Sequence, residues 1–281
     1  MSMSLSLVST LFGSADSSST TSSLLSALYG STSTGAGVGN ALTNLSLAEK
    51  NETKDVAVTA AQPEVAREIA QFNKVVASAT SLDDVLNDPL ARDVLLTANG
   101  LGDSTAYTAL AKKALESDPS DPNSLVNQLS DTRWKTMAQT YQFATKGLSV
   151  LQQPSTLASI ANGYAEVQWR QSLDSTTPGL SNALTFRAEA STITSVDQIL
   201  GDSVMRTVVT TALGIPAQIA FQPLEAQEKA ISTRLDITQF QDPKFVEQFT
   251  QKYLVAAQSS STSSSGASLD QLAVSASGLL V

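Results

Sequence analysis

From Leu47 onward the chain spaces its apolar side chains three and four positions apart. Val65, Ile69, Phe72, Val75 and Val76 share one helical face, as do Val85, Leu86, Leu90, Val94 and Leu95. Trp134, Met137, Tyr141, Ala144, Leu148 and Leu151 repeat the pattern. No stretch of useful length alternates apolar and polar at period two; Val56-Ala57-Val58 comes nearest and lies among helix formers. The pattern predicts an all-α body. Pro63, Pro122, Pro154 and Pro243 each open such a run, because the N–H that proline lacks has no partner in a first helical turn. Asp121 and Asp242 precede two of these prolines and offer an acceptor to the orphan N–H groups. The run opened by Pro122 is expected to carry Trp134 to Leu151 in one helix.

A second regularity lies over the first. Ser81, Asp83, Leu86, Asp88, Arg92, Val94, Thr97, Ala98 and Gly100 reappear as Ser195, Asp197, Leu200, Asp202, Arg206, Val208, Thr211, Ala212 and Gly214, at a constant offset of 114. Nine ungapped identities, several of them polar, imply an internal duplication. The implied unit is a short helix, an Asp step, an amphipathic helix, a glycine turn, a helix and an Asp-Pro helix. It spans about 81–151 and again about 195–257, with 172–181 as the loop between. Units this short are expected to share one core. Gly100 and Gly214 stand where a helix-ending glycine belongs. Arg92 and Arg206 are expected to pair with Asp88 and Asp202, four residues earlier on the same face.

Charge divides the chain further. Asp16 is the only charged residue before Glu49, and after Lys252 only Asp270 carries charge. Residues 1–46 are rich in Ser, Thr and Gly and read as a flexible N-terminal segment, leaving 47–257 as the helical body. Residues 258–281 read as a Ser-rich linker and a short C-terminal amphipathic helix. Cys and His are both absent, which removes thiol chemistry and the commonest metal ligand and general base. The net charge of −9, with basic residues scattered, argues against nucleic acid. No run reaches the length of a membrane span. The N-terminus lacks the basic start of a Sec signal. Its composition is compatible with type III or flagellar export, with a cytoplasmic location as the alternative.

Three strings carry a resemblance: Leu-Leu-Thr-Ala-Asn-Gly-Leu-Gly-Asp (95–103), Ser-Asp-Pro-Ser-Asp-Pro-Asn-Ser-Leu-Val-Asn-Gln-Leu-Ser-Asp-Thr-Arg-Trp (117–134) and Asp-Pro-Lys-Phe-Val-Glu-Gln-Phe (242–249). Over roughly residues 48–257 the chain resembles an alphaproteobacterial family catalogued as domain of unknown function 1217. The resemblance implies a largely helical, repeat-containing protein in a flagellar setting. It implies no catalytic residue.

Candidate chemistry is sparse. Asp83-Asp84 with Asp88, and Asp118 with Asp121, read as helix caps; a calcium loop begun at Asp118 would put Pro122 and Asn123 at its fifth and sixth places. Gly35-Ala-Gly37-Val-Gly39 has neither the preceding strand nor the spacing of a phosphate loop. Glu166 and Glu189 lie near Arg170 and Arg187 and read as surface ion pairs, while Trp134 and Trp169 read as core anchors. No catalytic, cofactor-binding or metal site is expected. Contact candidates lie at the ends: Leu5, Val8 and Phe12, and Leu269, Leu272, Ala276 and Leu279, each set at helical spacing. Seams this short are marginal alone and would need a partner to fold against; a frayed tail with incidental leucines is the alternative. The expected function is that of a non-enzymatic structural or assembly protein of the flagellum or its export route. Its partners would be flagellar components or further copies of itself. A helical binding module for a peptide or small ligand is the alternative.

Overall fold

The computed structural model describes residues 33–265, with side chains over 39–259. Among the described residues every regular element is helical, as the periodicity predicts. α1 (Ser33–Ala60) packs against α9 (Pro154–Leu173) on one side and α14 (Pro243–Ser265) on the other. α9 also packs on α2 (Pro63–Ser78) and α4 (Pro89–Thr97), and α14 on α12 (Ser203–Ala212), while α10 (Leu180–Glu189) touches α1, α9 and α14 alike. One continuous apolar cluster runs from Leu45 to Leu254 through both halves.

Two boundaries differ from expectation. The body does not begin at residue 47: Ala41, Leu45 and Ala48 are buried on one face of α1, three and four apart. Asn44 also donates to the Thr177 hydroxyl at 2.7 Å, and Glu49 pairs with Arg187 at 2.7 Å. The segment's composition is that of a linker, but its small residues let α1 sit closely between two helices. At the other end α14 continues to Ser265, through most of the expected linker, and Gln258 donates to the Pro178 carbonyl at 2.9 Å. Leu5, Val8, Phe12, Leu269, Leu272, Ala276 and Leu279 all lie outside the described residues.

The segments matched in sequence share their local bonding. Ser81 and Ser195 each cap a short helix, α3 (Leu82–Asn87) and α11 (Val196–Gly201), with a reciprocal capping box. Asp88 and Asp202 then cap α4 and α12. Gly100 (φ 75°) and Gly214 (φ 63°) end those helices in left-handed turns, closed by Leu101 N–H to Leu96 O and Ile215 N–H to Thr210 O, both 2.8 Å. Arg92 and Arg206 correct one expectation. Each turns back to the end of the preceding short helix and donates to a carbonyl, Leu86 O at 2.6 Å and Leu200 O at 3.2 Å. Asp88 and Asp202 accept backbone N–H bonds instead. Free helix carbonyls carry the negative end of the dipole and suit a guanidinium.

The run around Trp134 also departs from a single helix. Pro122 opens only turns, and helix resumes at α6 (Leu125–Gln128) and α7 (Thr132–Tyr141), the latter capped by Asp131. Gln142 at φ 52° and Gly147 at φ 60° then break the chain into α8 (Phe143–Lys146) and a 3-10 turn. Among the described residues the remaining α-helices are α5 (Thr108–Leu115) and α13 (Leu224–Ser232), with short 3-10 turns in several of the links.

The burial of α1 is testable by equilibrium denaturation. Leu45→Ala should lower the unfolding free energy by about 2–5 kcal/mol, whereas a flexible segment ending at residue 46 would leave it unchanged.

Candidate functional site

Arg133, on the first turn of α7, is a buried cation at the centre of a polar cluster between the two matched segments. Its side chain lies flat along Asp131, with Nε 2.9 Å from Oδ1 and Nη2 2.7 Å from Oδ2. Nε also lies 3.1 Å from Asp202 Oδ2, and Nη2 lies 3.3 Å from Asp103 Oδ2. Nη1 donates to the Gly100 carbonyl. One guanidinium thus joins the end of the α4 turn, the start of α7 and the start of α12.

Both main carboxylate partners have a second duty. Asp131 accepts the Arg133 backbone N–H at 3.1 Å, and Asp202 Oδ1 accepts from Val204 N and Met205 N at 2.7 and 2.9 Å. Helix N-termini favour such acids. Asp103 also accepts from Ser203 Oγ at 2.6 Å, which ties the first segment to the second.

The approach of the two helix starts depends on Gly201. A Cβ there would lie 2.7 Å from the Ser130 carbonyl carbon and 2.8 Å from Asp131 N, too close for any other residue. Gly163 has the same role where α9 meets the end of α4, since a Cβ would stand 2.8 Å from Ala98 O.

Burial and charge set the protonation of the cluster. Burial alone would lower the Arg133 pKa, but Asp131, Asp202 and Asp103 outweigh it and raise it. Burial raises Asp202, partly offset by Arg133 and by its cap bonds. At Asp103 the Ser203 bond and Arg133 outweigh burial, and the carboxyl is held below its ordinary value. Glu189, at the end of α10, is pushed up to about 7, chiefly by burial and then by Asp202, with Arg133 and Arg170 opposing.

Glu189 lies in the wall shared by two clefts, of about 420 and 440 Å³. The first holds Thr136, Gln139, Gln198 and Met205; the second holds Glu166, Arg170, Asp174 and Asn182. Arg170 pairs with Glu166 as expected and also reaches Glu52 on α1 at 3.2 Å, while its Nε is buried without a hydrogen bond. Glu189 is therefore no surface partner of Arg187, whose own ion pair is to Glu49. Trp134 and Trp169 are core residues, as expected. The Arg133 cluster itself has only faint sequence signals, the caps Asp131 and Asp202. Their meeting, 71 positions apart, has none.

The profile of one protein family, described as Protein of unknown function (DUF1217), matches residues 98–246. The chain belongs to that family. The DUF1217 match spans Gly100, Asp103, Asp131, Arg133, Glu189 and Asp202, the whole of the cluster. The crystal structure of protein AGR_C_984 from Agrobacterium tumefaciens is similar to this DUF1217 protein. It has 26% sequence identity and a TM-score of 0.64, over 77% of this chain and 92% of that one. A search of curated proteins found no match.

Two outcomes follow from the cluster. Arg133→Met strands three carboxylates and should cost about 3–5 kcal/mol in urea unfolding. Adding Asp202→Asn, which still caps α12, should recover part of that loss. Glu189 binds its proton more tightly in the folded chain than at its ordinary 4.5, so its contribution is full below about pH 4.5. That contribution, about 3 kcal/mol, fades as pH rises through 7. Unfolding free energy should thus fall between pH 5 and 8 in the wild type and be flatter in Glu189→Gln.

Proposed function

We propose that the protein is a non-enzymatic helical scaffold that works through protein contacts, in the flagellum or along its export route. The closure of the Arg133 cluster carries the non-enzymatic part. Arg133 directs its N–H groups onto carboxylates and a carbonyl of its own chain, and two of those carboxylates cap helices. A guanidinium so engaged reads as a structural tie. Arg92 and Arg206 are engaged likewise, each on a helix-end carbonyl. The flagellar setting rests on what the family resemblance implies, together with the Ser/Thr-rich, weakly charged N-terminus.

A second reading, a module that binds a small ligand, is favoured by the cleft of about 440 Å³ where Arg170 Nε is buried with no hydrogen-bond partner among the described residues. Retention of the protein in the cytoplasm with a co-purifying small molecule would favour it over the scaffold.

Fractionation tests the first reading. The tagged chain should be found in the culture medium or in sheared filaments. Deleting residues 2–32, which precede α1, should leave a folded protein trapped inside the cell. Replacing Leu269, Leu272 and Leu279 with Ser removes about 1.5–3 kcal/mol of apolar burial each from the terminal seam. That variant should be exported but released unassembled. Wild-type localisation and motility in both would overturn the flagellar reading.

A further inference from the structure

The matched segments differ at one charged contact, and the difference marks a surface. α5 packs on α3 as α13 packs on α11. Asp83 and Asp197 occupy equal places, two residues after the capping serines. Lys112 stands three residues before the buried Leu115, and Glu228 three residues before the buried Ile231. In the first segment Lys112 Nζ pairs with Asp83. In the second the Glu228 carboxyl meets Asp197, so two acids face each other where the first segment has an ion pair. Glu225 adds a third negative charge close by.

The two acids line a groove of about 520 Å³, floored by Gly201 and walled by Leu129, Leu200 and Leu224. Leu224 is 53% exposed, and Phe221, three residues earlier, is 87% exposed. Leu224, exposed on the lining of this groove beside two acids that no cation pairs among the described residues, leaves an incomplete contact.

We propose that this groove docks a protein segment presenting a lysine or arginine beside a leucine-sized apolar side chain. The charge it needs is the one the chain itself supplies at the matching place, the Lys112 ammonium on Asp83. The apolar side chain would cover Leu224 and Leu129, while the cation would sit between Asp197 and Glu228 and relieve their repulsion. A bare metal ion would satisfy the acids and leave the leucines uncovered. The proposal rests on the scaffold reading and names the chemistry of its partner.

The test uses the full-length protein and three fluorescein-labelled, end-blocked peptides on a Gly/Ser background. One carries Leu and Lys four residues apart; in the others Lys becomes Glu or Leu becomes Gly. Fluorescence anisotropy should show saturable binding of the Leu/Lys peptide, weakening as salt rises. The other two should bind at least about tenfold more weakly. Glu228→Lys supplies the missing cation in cis, so it should melt no lower than wild type, keep its helical circular dichroism and lose the peptide. Leu224→Ser should weaken binding without altering the spectrum. Equal binding of all three peptides, unchanged binding by Glu228→Lys, or no binding of the Leu/Lys peptide would overturn the proposal. If the peptide fails while the chain still partitions with filaments, the groove is wrong and the scaffold stands. If the chain stays cytoplasmic while the peptide binds, the scaffold is wrong.

Discussion

The fold depends on one buried guanidinium shared among acids that are already engaged with helix ends. Arg133 binds Asp131, Asp202 and Asp103, and the first two cap α7 and α12. Asp202 is only 6% exposed, and a carboxylate this deep is costly unless paired and hydrogen-bonded. The pairing therefore holds geometry more than it adds stability. Breaking it leaves three acids facing one another, while keeping it fixes the distance between the two helix starts. Gly201 sets that distance from the other side, because only a residue without Cβ lets α11 end against the Ser130–Asp131 backbone.

Around this tie the rest of the chain is arranged as layers on α1. That helix carries no charge over its first half, where Ala41 and Leu45 are buried, and Ala48, Val56 and Thr59 continue the buried face. Small side chains allow α9 and α14 to approach from both sides, so the two halves share one apolar cluster. Ion pairs at the edge, Glu49 with Arg187 and Glu52 with Arg170, orient α1; the first is partly exposed at both ends and is worth about 0–1 kcal/mol.

The polar groups divide into those that close the structure and those left over. Capping acids, back-turned arginines and the Arg133 cluster belong to the first kind. The second kind includes the Glu189 carboxyl between two clefts, the buried Arg170 Nε and the Asp197–Glu228 pair in its groove. Comparing the two matched segments separates these classes. Caps, glycine turns and back-turned arginines recur at the same offset, as local geometry requires. The third helix instead sets Lys112 against Asp83 in the first segment and Glu228 near Asp197 in the second.

What the chain's linear pattern determined by itself is local. Period-three-and-four spacing made every described element a helix. Asp88 and Asp202 were legible as helix starts, and Gly100 and Gly214 as stops. Each depends on bonds within a few residues, where a side chain and its partner are neighbours in sequence. The tertiary structure decided the rest. It recruited residues 33–46 into α1, because burial between α9 and α14 stabilises a helix that composition alone leaves marginal. It divided the Trp134–Leu151 run at Gln142 and Gly147. It turned Arg92 and Arg206 onto carbonyls, freeing Asp202 to meet Arg133 from 69 positions away. It buried Glu189, which composition placed on the surface. Each outcome rests on long-range approach and desolvation, and neither has a periodic signature along the chain.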